Sequence, residues 1–127
     1  MKSIRVLIVE DDVTIAGMLD AIFRRAGFSP TVVRDGRSAI TLIDQGEPPA
    51  VAVVDVMLPY TDGFSVVAAM RRTPGWAGVP VLMLSSRQLP DDVLRARALG
   101  VREYLQKPFN AKQLLATVRG LLGLQPG

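Results

Sequence analysis

The chain has 127 residues, of which 49% are hydrophobic, and its 15 basic and 12 acidic residues give a net charge of +3. This length fits one domain with a usable core, and the hydrophobic content argues against an intrinsically disordered chain. The sequence contains neither cysteine nor histidine, which excludes disulfides, thiolate metal sites and histidine-based acid–base catalysis.

The apolar residues come in short bursts, and no run approaches the ~20 residues of a membrane span. Met1-Lys2-Ser3 leads directly into a predicted strand, so we expect no signal peptide, no membrane contact and a cytoplasmic location. The basic residues are spread along the chain, and the pairs Arg24-Arg25 and Arg71-Arg72 fall near predicted helix ends. We therefore expect solvated helix ends and no direct nucleic-acid binding by this domain.

Five short predicted strands alternate with five predicted helices. In chain order the predicted elements are strand Ile4–Val9, helix Val13–Ala26, strand Pro30–Val33, helix Arg37–Gln45, strand Val51–Val54, helix Gly63–Arg72, strand Val79–Leu84, helix Asp91–Leu99, strand Glu103–Leu105 and helix Asn110–Leu122. Such alternation with short connections predicts an α/β domain with a parallel sheet and helices on both faces. We expect one domain over residues 1–122, followed by a loose tail at 123–127.

Local residues support the helix boundaries. The first helix has an apolar stripe at Ile15, Met18, Leu19, Ile22 and Phe23. Polar residues and glycines that favour helix ends flank three of the predicted helices, with Asp12 and Asn110 as expected N-terminal caps and Gly27 and Gly100 as expected stops.

Acidic residues follow two of the predicted strands. Asp55 comes directly after Val51–Val54, a β-branched run typical of a strand buried on both faces, and Glu10-Asp11-Asp12 follows the first strand. If these strands are neighbours, Asp11, Asp12 and Asp55 converge at one edge of the sheet. Carboxylates about 4 Å apart repel by roughly 4 kcal/mol per pair at an effective dielectric near 20, so the cluster needs a counter-charge. Oxygen ligands of this kind favour Mg²⁺.

Two further polar residues follow strands four and five, namely Ser85 and Lys107. A carboxylate nucleophile, a metal, a hydroxyl and a lysine form a set suited to phosphoryl transfer, in which Asp55 attacks phosphorus and the others stabilise the phosphoryl oxygens. Each residue alone has an ordinary structural explanation, as a cap, a turn residue or a solvated charge. Their coincidence at four strand ends is what favours a functional site.

These motifs, in this order and spacing, resemble the receiver domain of bacterial two-component response regulators, the CheY-like family. The matching features are the acidic run Glu10-Asp11-Asp12, the segment from Asp55 to Gly63 (D-V-M-L-P-Y-T-D-G), Ser85, and Lys107-Pro108-Phe109. The resemblance extends from Lys2 to about Leu122. It implies a three-layer α/β/α, flavodoxin-like fold with a doubly wound, five-stranded parallel sheet in the order 2-1-3-4-5.

The resemblance also implies roles for individual residues. Asp55 would accept a phosphoryl group from the phosphohistidine of a sensor histidine kinase or a phosphotransfer protein. Asp12, Asp55 and the backbone carbonyl of Met57 would hold Mg²⁺, or Mn²⁺ in its place, and Asp11 would reach the ion through water. Ser85 and Lys107 would contact the phosphate. Two further implied features are a switch role for Tyr104, which turns inward as the Ser85 hydroxyl moves, and a cis peptide bond before Pro108.

As a family member the chain would be a regulatory phosphoacceptor, not a metabolic enzyme, that catalyses only its own phosphorylation and autodephosphorylation. It would signal through helix 4, strand 5 and helix 5 to a downstream effector domain or protein, with a phosphorylation-dependent homodimer as a further expectation. Met57 and Arg87 occupy positions that vary in this family and tune dephosphorylation. The segment Val101-Arg102-Glu103 lacks the paired acids of receivers in winged-helix transcription factors, which leaves the dimer mode open.

Three other functions fit parts of the sequence. A flavin-binding electron carrier would need a hydroxyl- and glycine-rich loop after strand one, where this chain has three acids. A Mg²⁺-dependent aspartyl phosphatase would need a second acid two residues after the nucleophile, where this chain has Met57. A receiver that only binds partners would not need the complete set of acid, hydroxyl and lysine.

Overall fold

The protein is described by a computed structural model that covers residues 3–87 and 89–124. Strands and helices alternate along the chain as β1 Arg5–Val9, α1 Val13–Arg25, β2 Ser29–Val33, α2 Gly36–Gln45, β3 Val51–Asp55, α3 Gly63–Arg72, β4 Val81–Ser85, α4 Pro90–Ala98, β5 Glu103–Gln106 and α5 Ala111–Leu121. The predicted order of elements is confirmed, and the predicted ends differ by at most two residues. Among the described residues, none of the helices combines the length and the apolar character needed to cross a bilayer.

All five strands are parallel and form one sheet in the order β2-β1-β3-β4-β5, which confirms the predicted fold class. The register is what positions the strand ends. Val9 at the end of β1 pairs with Val54, and Asp55 at the end of β3 pairs with Leu84. Ser85 at the end of β4 pairs with Gln106. The residues that follow these pairs therefore leave the sheet at the same edge.

The central strands bury side chains on both faces of the sheet, because helices cover both faces. One core joins the sheet to α2, α3 and α4, and its members include Leu7, Val54, Met83, Ile43, Phe64 and Ala96. The opposite core joins the sheet to α1 and α5, and its members include Ile8, Val53, Leu84, Leu19, Phe23 and Leu114. Alternate residues of each strand thus enter opposite cores, which fixes the strand register.

Side-chain caps begin four of the helices. The carboxylate or amide oxygens of these caps accept a hydrogen bond from the backbone N–H three residues later, and the caps are Asp12, Asp35, Asp62 and Asn110. The predicted caps Asp12 and Asn110 are confirmed.

Glycines in the left-handed region end three of the helices. Gly27, Gly100 and Gly123 have φ values of 90°, 76° and 70°. Gly123 and Leu124 differ from the predicted loose tail, because the Leu124 N–H donates to the Arg119 carbonyl at 2.8 Å and closes α5. The rest of the predicted tail, residues 125–127, lies outside the described residues.

Two predicted side-chain environments were wrong. Met18 is 42% exposed, because Ala16, Leu19 and Phe23 already fill the space between α1 and the sheet. Arg71 is not a solvated helix end. Its guanidinium donates to three backbone carbonyls, those of Leu99, Ala77 and Val79.

Gly63 begins α3 and lies directly against the end of β3. Its N–H donates to the Val56 carbonyl at 2.9 Å, and a Cβ built on it would collide with the carbonyl oxygen of Asp55. We expect Gly63→Ala to lower the free energy of unfolding, measured by urea denaturation, by about 1–3 kcal/mol. The control is Gly17→Ala in the middle of α1, where a Cβ meets nothing within 4 Å. It should raise the same free energy by about 0.5–1 kcal/mol. Equal stabilities of the two variants would contradict this explanation.

Candidate functional site

The candidate site lies at the carboxyl edge of the sheet, beyond the ends of β1, β3, β4 and β5. Glu10 follows Val9, the partner of Val54, and therefore stands level with Asp55. Lys107 follows β5, and its N–H donates to the Ser85 carbonyl at 2.7 Å, which holds the end of β5 against the end of β4. The sheet thus brings together side chains that are up to 97 residues apart in sequence.

The Lys107 ammonium joins two buried carboxylates. Its Nζ lies 2.8 Å from Oε1 of Glu10 and 3.0 Å from Oδ2 of Asp55. The side chains of Glu10 and Asp55 are 1% and 6% exposed, and that of Lys107 is 16% exposed. Buried charges need pairing because they have lost their water, so this lysine is the direct counter-charge that both carboxylates share.

The pKa shifts follow from this arrangement. Burial raises the pKa of Glu10, and the neighbouring Asp55 adds to the rise, while the hydrogen bond from Lys107 opposes it. For Lys107, burial alone would lower the pKa of the ammonium. The hydrogen bonds to Glu10 and Asp55 outweigh burial, so the pKa of Lys107 lies above its ordinary value and the group stays charged at neutral pH.

Three carboxylates meet at this edge. Glu10, Asp11 and Asp55 each offer an oxygen, and these oxygens lie within 4.8 Å of one another. One ammonium cannot neutralise three carboxylates, and Asp11, which is only partly buried, keeps the group open to solvent. The donor set contains only hard oxygen ligands, which suits Mg²⁺ better than it suits softer metals. The residues present therefore fit a divalent cation.

The structure groups Glu10, not Asp12, with Asp11 and Asp55. Asp12 is exposed, and its Oδ1 accepts the Ile15 N–H at 3.0 Å as the cap of α1. The predicted metal-ligand role of Asp12 thus has no support from its position. Glu10 was not among the ligands predicted from the sequence, although it directly follows the last residue of β1.

The other predicted residues surround the acidic group. Ser85 is fully buried, and its Oγ accepts the Arg87 N–H at 3.1 Å. Met57 is 54% exposed, and its N–H reaches Oδ1 of Asp55 at 3.4 Å. Tyr104 is half-buried on β5, and its hydroxyl donates to the Arg87 carbonyl at 3.3 Å. The Lys107–Pro108 peptide bond is cis.

Comparisons with known proteins agree in sequence and in structure. Residues 6–119 match the family model of the response regulator receiver domain. The transcriptional regulatory protein TcrA of Mycobacterium tuberculosis is 40% identical over 121 residues, which are 95% of this chain and 47% of TcrA. The crystal structure of the chemotaxis protein CheY4 of Vibrio cholerae superposes with a TM-score of 0.89 at 30% identity, and covers 95% of this chain and 100% of that one.

A second solved structure is the receiver domain of a sensor histidine kinase from Pseudomonas aeruginosa, described with a magnesium ion coordinated in its active site cleft. It has a TM-score of 0.87 and 26% identity, and covers 96% of this chain and 99% of that one. The chain spans about half the length of the curated relatives that it matches.

Removing the shared ammonium should expose the charge imbalance of the site. With a chelator present, we expect Lys107→Met to lower the free energy of unfolding by about 3–5 kcal/mol, because Glu10 and Asp55 lose their counter-charge. Millimolar Mg²⁺ should reduce this loss, because the cation takes over part of the ammonium's role. Urea denaturation with and without Mg²⁺ measures both values. The control Lys112→Met, on the exposed side of α5, should change stability by less than about 0.5 kcal/mol. The same loss with and without Mg²⁺ would contradict the assignment of a cation site.

Proposed function

Because the chain belongs to the response regulator receiver domain family of two-component systems, we propose that it is a phosphorylation-controlled switch with Asp55 as the phosphoacceptor. The phosphoryl donor would be the phosphohistidine of a sensor histidine kinase or a phosphotransfer protein. The observation that carries this proposal is the placement of Asp55, buried at a strand end beside an ammonium and two further carboxylates. A residue that served only to form a turn would need neither the ammonium nor the two further carboxylates.

The chemistry follows from the residues around Asp55. A carboxylate oxygen of Asp55 would attack phosphorus as the bond between phosphorus and the imidazole nitrogen of the donor breaks, and that nitrogen would keep the electron pair. Lys107 already contacts Oδ2 of Asp55, so its ammonium is within reach of a phosphoryl group attached there. The Ser85 hydroxyl can still donate its own hydrogen, because its oxygen accepts the Arg87 N–H. Both groups would stabilise the phosphoryl oxygens.

We further propose that Glu10, Asp11 and Asp55 hold Mg²⁺, with Mn²⁺ as a possible substitute. The chemistry of these donors and the magnesium described for the Pseudomonas receiver domain support this assignment. When bound, the ion would offset the negative charge of the carboxylates and of the incoming phosphoryl group. The Met57 carbonyl remains a predicted fourth ligand.

The surface formed by α4, β5 and α5 is the proposed signalling face, which a downstream effector domain or a second copy of the chain would recognise. Tyr104 on β5 lies half-buried under this face, and Leu94 on α4 is 63% exposed. Phosphorylation would add charge near Ser85 and Lys107 and shift a two-state equilibrium of these elements.

Beryllofluoride, an analogue of the aspartyl phosphate, tests the acceptor directly. With Mg²⁺ present we expect the wild-type protein to bind it and acetyl phosphate to add one phosphoryl group, detected by mass spectrometry. Asp55→Asn should abolish both, because the amide cannot act as the nucleophile. Backbone amide NMR shifts on binding should be larger in α4 and β5 than in α1 and α2. Undiminished labelling of Asp55→Asn would end the proposal, and shifts confined to the surroundings of residue 55 would contradict the signalling face.

The metal assignment makes a separate prediction, because it distinguishes neighbouring acids. We expect Glu10→Gln and Asp11→Asn to raise the Mg²⁺ dissociation constant by about tenfold or more. Asp12→Asn is the matched control, since asparagine caps a helix as well as aspartate does, and it should leave the constant nearly unchanged. Calorimetric titration with Mg²⁺ measures all three variants. A large effect of Asp12→Asn with none for Glu10→Gln would restore the ligand set predicted from the sequence.

A further inference from the structure

Residue 87 connects three parts of the molecule. Its N–H donates to Oγ of Ser85 at 3.1 Å, and its carbonyl accepts the Tyr104 hydroxyl at 3.3 Å. Its guanidinium Nε donates to Oδ2 of Asp92 at 3.0 Å. One residue therefore contacts the hydroxyl beside the acceptor, the aromatic residue of β5 and the first turn of α4.

The ion pair with Asp92 is an important attachment of the start of α4. Within residues 3–87 and 89–124, the capping residue Leu89 makes no side-chain cap hydrogen bond, and Ala96 is the single buried residue of α4. The Asp92 side chain is 13% exposed, whereas that of Arg87 is 46% exposed. The carboxylate is thus the anchored partner, and the arginine is the partner with freedom to move.

We propose that Arg87 is a further phosphoryl-binding residue, which Asp92 holds away from the site until Asp55 is phosphorylated. This inference rests on the proposed function. The acidic group already outnumbers its one lysine, and the acyl phosphate would replace the single charge of the Asp55 carboxylate with a phosphate charge of about −1.5 to −2. A guanidinium pairs with a phosphoryl group through a planar fork of donors, and it does so more strongly than with one carboxylate oxygen.

The geometry allows the exchange without breaking the contact to Ser85. A hydroxyl oxygen accepts and donates at the same time, so Oγ can keep the Arg87 N–H while its hydrogen turns to a phosphoryl oxygen. The backbone of residue 87 would then stay beside the site while its side chain changes partner. When the Arg87 side chain moves to the phosphoryl group, its ion pair with Asp92 breaks, and the first turn of α4 is no longer held by that contact. The coupling is reciprocal, so releasing Asp92 by mutation must favour the phosphorylated form.

The test compares variants that break the same ion pair from its two sides. With Mg²⁺ present, Asp92→Asn should tighten beryllofluoride binding about two- to fivefold, because Arg87 no longer has a competing partner. Arg87→Met should weaken binding about tenfold, because the phosphoryl contact is lost. In the Arg87→Met background, Asp92→Asn should have no effect. The control Asp91→Asn removes the same charge from the first turn of α4, yet Asp91 makes no ion pair with the described residues. It should bind as the wild type does.

The outcomes separate the two proposals. If Arg87 only tethered α4, Arg87→Met and Asp92→Asn would shift affinity in the same direction, and this result would overturn the inference. Equal affinities of Asp92→Asn and Asp91→Asn would overturn it as well. Failure of the wild-type protein to bind beryllofluoride would instead refute the proposed function itself.

Circular dichroism melting of each variant checks that the affinities compare folded proteins. The affinity of Arg87→Lys for beryllofluoride should lie between those of the wild type and Arg87→Met, because lysine keeps the charge without the planar fork of donors.

Discussion

An ammonium shared between two buried carboxylates is the interaction on which this site depends. Glu10 and Asp55 have almost no contact with water, and Lys107 contacts both within 3.0 Å. Asp11 adds a third carboxylate, so the group carries more negative charge than one lysine can balance. Repulsion of roughly 4 kcal/mol per close pair of carboxylates, at an effective dielectric near 20, destabilises the folded state. This repulsion would fall if a cation bound, so the same imbalance supports the proposed divalent-cation site.

The sheet creates this arrangement because its central strands are buried on both faces. A slip of one residue would move every side chain of a strand into the opposite core, so the register is strongly specified. The alternation of predicted strands with stretches of helical periodicity allowed the element order and the parallel sheet to be predicted from sequence, to within two residues at each end. The structure that follows the last helix was less predictable. The closure of α5 by Gly123 and Leu124 depends on a left-handed glycine and on hydrogen bonds back into the helix, which a polar, glycine-containing tail does not distinguish from a loose end.

The strand ends also predicted most of the site. Three of its residues stand at or just after the ends of strands, namely Asp55, Ser85 and Lys107. The acidic run after β1 was harder, because three successive acids are equivalent in a sequence. The pairing of Val9 with Val54 puts Glu10 level with Asp55, and the Asp12 carboxylate caps the start of α1. Which acid faces the site is thus decided by register and helix capping together, of which the cap at Asp12 could be predicted from the sequence and the register could not.

The attachment of α4 differs in kind from that of the other helices. Six residues of α3 are buried, whereas within the described chain α4 buries Ala96 alone. Three arginines add contacts at α4. Arg71 donates a hydrogen bond to the Leu99 carbonyl, and Arg95 makes a cation–π contact with Phe64. Arg87 forms an ion pair with Asp92. A helix seated in a core resists displacement because its contacts are short-ranged and do not depend on charge elsewhere. The ion pair of Arg87 with Asp92 would respond to new negative charge near Ser85, because that charge would compete for the guanidinium group. In the proposed switch, the weak packing of α4 would let a change of charge at the strand ends alter the proposed signalling face.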